Sequence, residues 1–138
     1  MKLCNDLISE VYDELCERGY DVCSLEMLQS IAYQNDFQTT IQFWIDDEDE
    51  DSWNGAKISS NRIEMDNDLS LGQKLLICNL FNKQSNYCSA YLSDDDNELF
   101  MVSACVSINC ENFVEMCADM FEEVIFGTEF LIDMITED

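Results

Sequence analysis

Cysteines and carboxylates are the side chains in this sequence that could do chemistry. Eight cysteines and 30 acids occur in 138 residues, and histidine is absent. Without histidine, neither a Ser-His nor a Cys-His nucleophile pair can be built. Mixed Cys/His zinc sites are excluded for the same reason, and the cysteines (4, 16, 23, 78, 88, 105, 110 and 117) include no Cys-x-x-Cys. Carboxylate-only hydrolysis needs a marked pair of acids, and among 30 acids close pairs arise by chance. A calcium loop opening at Asp47 would require Gly and Glu where Ser52 and Ile58 stand. No catalytic residue, cofactor or metal site is expected. The cysteines read as small apolar residues in a reducing cytosol, with Cys4 and Cys88 as the candidates for exposed, redox-active thiols.

Six bases against 30 acids leave a net charge of −24. Phosphate binding needs clustered Lys and Arg, so direct nucleic-acid binding is excluded, and anionic membranes would repel the chain. No apolar run approaches the roughly 18 residues of a membrane span, and the N-terminus meets acids at once. A cytoplasmic protein is expected. The last base is Lys83, and the 55 residues after it hold 13 acids. Such a surface favours a basic or amphipathic protein partner.

Residues 3–18 have helical spacing of Leu3, Leu7, Ile8, Val11, Tyr12 and Leu15, with Gly19 at the C-terminal position. A strand is expected near 27–33, then a turn, then a strand over Phe37–Ile45 with strict alternation. The run Asp46-Asp47-Glu48-Asp49-Glu50-Asp51 reads as a solvated loop ending at Trp53 and Gly55. Lys57–Met65 is a further strand candidate, and a second helix follows Asp68 or Ser70 with Leu71, Leu75, Leu76, Leu80 and Phe81 as apolar positions. A hairpin over Cys88–Leu92 and Leu99–Val106 leads to a last helix from Asn109 to about Thr136, with Gly127 as its expected interruption. The expectation is one α+β domain over 1–138, an antiparallel sheet flanked by helices in the order α-β-β-β-α-β-β-α.

The last helix has an apolar arc wider than one sheet contact requires. Cys110, Phe113, Cys117, Phe121, Val124, Leu131 and Ile135 share one stripe, with Met116, Met120 and Met134 beside it and Phe126 and Phe130 further round. Either a wrapping sheet or a homodimer partner buries this arc, or it is a docking surface. In the docking reading, Met116, Met120, Phe126, Phe130, Met134 and Trp53 make the contact. An acidic rim of Asp46–Asp51, Glu115, Asp119 and Glu122 then selects a basic partner.

Asn79-x-x-Asn82 near the end of the second helix, the hairpin after it, and Asn112-Phe113 at the opening of the last helix resemble the YbjN-like family of proposed bacterial sensory transduction regulators. The resemblance spans roughly 37–135 and is clearest from Leu71 to Ile125. It implies a fold similar to that of type III secretion chaperones, which are small, acidic, cytosolic and usually dimeric, and it implies a non-enzymatic protein. Asn79 and Asn82 would be structural, and the helix from Asn112 would be core or dimer surface. Two functions follow. The first is a chaperone-like adaptor or regulator that binds another protein. The alternative is an acidic inhibitor that mimics nucleic acid in the manner of phage anti-defence proteins, since 24 charges equal those of roughly 12 base pairs.

Overall fold

In the first helix, α1 (Cys4–Glu17), apolar residues fall on one side, and Ile8, Val11 and Leu15 are buried. Gly19 ends it in the left-handed region at φ 93°; its N–H donates to the Cys16 carbonyl and that of Tyr20 to the Leu15 carbonyl, the paired bonds of a Schellman cap. The computed structural model describes residues 4–25, 30–33, 38–44, 54–60, 63, 69–93 and 99–136. The acidic run at 46–51 and Trp53 lie outside the described residues.

Four strands follow: β1 (Val22–Leu25), β2 (Ser30–Tyr33), β3 (Thr39–Trp44) and β4 (Gly55–Ser60). Then come α2 (Leu71–Gln84), β5 (Ser89–Leu92), β6 (Phe100–Ser107) and α3 (Phe113–Thr136). The sheet is antiparallel with strand order β1-β2-β3-β4-β6-β5. The α+β class is as expected, but the order carries one more strand than expected. The segment read as a single strand near 27–33 contributes β2, and β1 precedes it as a partner. Each has only four residues, too few for alternation to register. The Lys57–Met65 candidate divides into β4 and an isolated bridge from Ile63 to Phe100.

Register places Ile31, Ile41, Ile58 and Ala104 side by side across β2, β3, β4 and β6, and all four are buried. The helices form one layer over this row. Helix α3 lies on β6, β4 and β3, and meets α1 on one side and α2 on the other. On the α1 side, Phe121 makes edge contacts with Tyr20 and Tyr33 at centroid distances of 5.1 and 5.6 Å. Arg18 clamps the same junction, donating to Glu14 Oε1 at 3.1 Å and to Asp119 Oδ1 at 2.9 Å, with Glu122 Oε1 at 3.4 Å. The opposite face of the sheet leaves Gln42, Trp44, Cys105 and Ser107 exposed.

Two expectations about α3 are corrected. It begins at Phe113 rather than Asn109, because Asn112 takes a left-handed φ of 61° that no helix continues. Gly127 does not interrupt it. A Cβ at this position would stand 3.3 Å from Phe81 Cζ and 3.5 Å from Cys88 Sγ and from Val102 Cγ1, so glycine lets α3 lie close against Phe81 of α2, Cys88 and Val102 of β6.

The asparagines of the α2 end divide in role. Asn79 is exposed. The Asn82 carboxamide accepts from the Ala90 N–H at 2.8 Å and donates to the Ala90 carbonyl at 3.2 Å. These are the outward groups of edge strand β5, because Ala90 sits opposite Val102, whose own N–H turns to Ser60 Oγ. Asn82 therefore seals the sheet edge at its middle residue. Replacing Asn82→Ala should cost about 1–2 kcal/mol in urea unfolding, and Asn82→Asp, which keeps only the acceptor, should cost less. Unchanged midpoints would remove this role.

Candidate protein-binding surface

Helix α3 presents to solvent a crest where charged and aromatic residues interleave. Phe126 is 57% exposed and Phe130 42%. Both border a cleft of about 320 Å³ between α2 and α3, lined by Phe81, Gln84, Ser85, Cys88, Glu123, Phe126, Gly127 and Phe130. Phe81 forms the floor and packs on Phe130 at 5.9 Å between centroids. The absence of a side chain at Gly127 keeps this floor open.

Of the residues expected to dock a partner, Phe126 and Phe130 are brought together at the surface. The methionines are not on it. Met120 is 8% exposed and belongs to the core, while Met116 and Met134 are half-buried against it. The arc is wide because α3 crosses three strands and touches helices on both sides, so one row of apolar residues cannot fill the contact. The acidic rim is also changed. Glu115 is exposed, but Asp119 and Glu122 are engaged by Arg18. Glu123, not among the expected rim residues, lines the cleft itself.

The sequence reading missed the outer side of α2. Leu71, Leu75, Leu76 and Leu80, read from the sequence as apolar positions of this helix, are all exposed. The available signal was that apolar residues run round the whole of this helix, so no single stripe can bury them all.

Charge is sorted by layer. Every acid among the described residues lies on α1, on α3 or in the segments next to them, Asp21 and Glu111. None of the six strands contains an acid, and neither does α2. The helical layer thus runs from acidic α1, over the Phe126/Phe130 crest, to the acid-free α2.

No family model matches the chain, and no curated protein does. Among solved structures, the crystal structure of YbjN from E. coli, a proposed transcription regulator, superposes with a TM-score of 0.57. The match covers 93% of this chain and 87% of that one at 17% sequence identity. The chain has a YbjN-like fold. No described helix is long and apolar enough to cross a membrane.

The thiols separate into two groups. Cys16, Cys23 and Cys105 are exposed and Cys110 is half-buried, whereas Cys78, Cys88 and Cys117 are buried. Cys88 is therefore not the exposed thiol expected. Burial, with Glu123 nearby, pushes its pKa up to about 11, against a smaller lowering by a Ser85 hydrogen bond. Burial and then Cys110 push Cys117 up to about 12. A native-state thiol titration at pH 8 should label Cys16, Cys23 and Cys105 fast and spare Cys88 and Cys117. Because an unfolded thiol ionises first, stability should fall from about pH 9 towards 12, and Cys117→Ala should flatten that fall. Rapid labelling of Cys117 in the folded protein would contradict this packing.

Proposed function

We propose that the chain is a non-enzymatic protein-binding module, an adaptor or regulator working in a reducing compartment. The observation that carries this reading is the Phe126/Phe130 pair, exposed at the border of a cleft and bounded by acids towards α1. Exposed aromatic side chains over an open apolar floor are the typical centre of a binding hot spot. Glu123 within the cleft and Glu129 and Asp133 on the same helix turn the surroundings negative. The complementary ligand is an amphipathic segment that seats apolar residues in the cleft and lays Lys or Arg over α3 and α1. The YbjN-like fold supports a regulatory or binding role in the same direction. The absence of histidine and the seven free thiols among the described residues agree with it.

The confinement of acids to the α1/α3 layer gives a second reading some support, that of a nucleic-acid mimic acting on a DNA- or RNA-handling enzyme. The two readings differ in what the aromatic crest does. A mimic binds through charge alone, whereas the module requires Phe126 and Phe130.

Affinity capture from the native host at low and high salt, followed by measurement of Kd for the captured protein, separates them. Phe126→Ala with Phe130→Ala should weaken binding by about 2 kcal/mol, roughly 30-fold, while added salt weakens it only a few-fold. Capture of a nucleic-acid-handling enzyme that is indifferent to the phenylalanines and lost in salt would favour mimicry.

A further inference from the structure

The cleft between α2 and α3 has an aromatic end and an acidic end. On α3, Glu123, Phe126, Gly127 and Phe130 follow at three- and four-residue steps and form one row along the helix. Glu123 and Phe130 stand at the ends of the row, about 10 Å apart at 1.5 Å per residue. At the aromatic end, the rings of Phe130 and Phe81 are inclined at 46°, and Phe126 and Phe130 keep much of their surface in water. At the other end, Glu123 is half-buried. Its carboxylate turns towards the cleft: after burial, it is the next cause that raises the pKa of the Cys88 thiol in the floor. Gln84 lines the opposite wall.

Charge sets what fills the cleft. No base lines it, and among the described residues no cation pairs with Glu123, since Arg18 engages Glu14, Asp119 and Glu122 instead. A purely apolar anchor would cover Glu123 and leave its carboxylate unpaired away from water. An acidic anchor would be repelled. The occupant that fits is apolar along its length and cationic at its tip. We infer that the cleft is an arginine pocket, in which one arginine of the partner protein lays its methylene stem along Phe126 and Phe130 and sets its guanidinium on the Glu123 carboxylate. The Gln84 carboxamide offers a second acceptor to the same group. Lysine carries the same charge, but its ammonium is compact and strongly hydrated and has no planar fork to match a carboxylate. This inference rests on the reading of the α3 crest as a protein-binding surface, and it names the partner residue that the surface selects.

Backbone amide shifts of the isotope-labelled full chain test it, in titrations at low salt with acetyl-Leu-Arg-amide and with its citrulline and lysine counterparts. Citrulline keeps the shape of arginine without the charge. The arginine peptide should give saturating shifts at Gln84, Ser85, Glu123 and Gly127, with a Kd on the order of 1 mM. It should bind ~10-fold tighter than the citrulline peptide and ~3-fold tighter than the lysine peptide. Glu123→Gln, a conservative change at a half-buried position, should abolish the preference over citrulline. Glu111→Gln, which removes the same charge from an exposed position outside the cleft, should leave it. Equal binding of the arginine and citrulline peptides would overturn the inference, and so would equal binding of the lysine peptide. A preference that survives Glu123→Gln, one that falls as far with Glu111→Gln, or an absence of saturating shifts in the cleft would do the same. Whether a captured partner needs Phe126 and Phe130 is a separate measurement, so the protein-binding reading and the arginine pocket fail independently.

Discussion

The seating of α3 on the sheet is the contact on which the rest of the molecule depends. One side of this helix fills the space over β3, β4 and β6 with Phe121, Val124, Leu131 and Ile135, all at most 1% exposed. Its flanks then provide the walls against which α1 and α2 settle. On one flank Phe121 meets Tyr20, and on the other Gly127 admits Phe81. A core packed this closely leaves α3 little freedom to turn about its axis. The outward positions of Phe126 and Phe130 are therefore fixed by what Phe121 and Gly127 do inside. The candidate site is a consequence of the core.

A chain this acidic also has to decide where its charges go. Facing residues on neighbouring strands stand about 4.5–5.5 Å apart, and like charges there are destabilising. The six strands are free of acids, and the described acids line the helical layer and the residues beside it. Helices can bear them because each presents an outer face to water. This sorting leaves α2, with Lys74 and Lys83 and no acid, as the acid-free edge of an acidic layer and gives the helical surface a gradient from acidic to apolar. Arg18 is the cation placed where two acidic helices meet, tying Glu14 of α1 to Asp119 and Glu122 of α3. Its side chain is partly exposed, so it orients the junction more than it stabilises it.

Much of this was legible in the residue pattern. The strict alternation before Ile45 marks β3, Gly19 marks the end of α1, and the long apolar arc of α3 marks the central helix. The α+β class followed from these alone. What was not legible depended on tertiary context. The hairpin of β1 and β2 consists of four-residue strands with no period of their own, and it exists because β3 offers an edge. On a helical wheel the methionines of α3 lie beside the buried stripe and Phe126 and Phe130 further round, and only the positions of α1, α2 and the sheet decide how far burial reaches past the stripe, so that Met120 is covered and Phe126 is not. The leucines of α2 look like core until Ile77, Cys78 and Phe81 are found to have taken the inward positions. Asn82 was legible as structural, but not as the seal on the β5 edge. For the acidic run at 46–51 and for Trp53, the expectation rests on sequence, since both lie outside the described residues.

The central claim is that the crest of α3, held out by the core beneath it, is where a protein partner binds. Backbone amide chemical-shift mapping of the isotope-labelled chain, titrated with the partner recovered by affinity capture, tests it most directly. The account predicts perturbations centred on Glu123, Phe126, Gly127, Glu129 and Phe130, extending to Gln84 and Ser85 across the cleft. A footprint centred instead on the outer face of the sheet, at Thr40, Lys57 and Cys105, would contradict it.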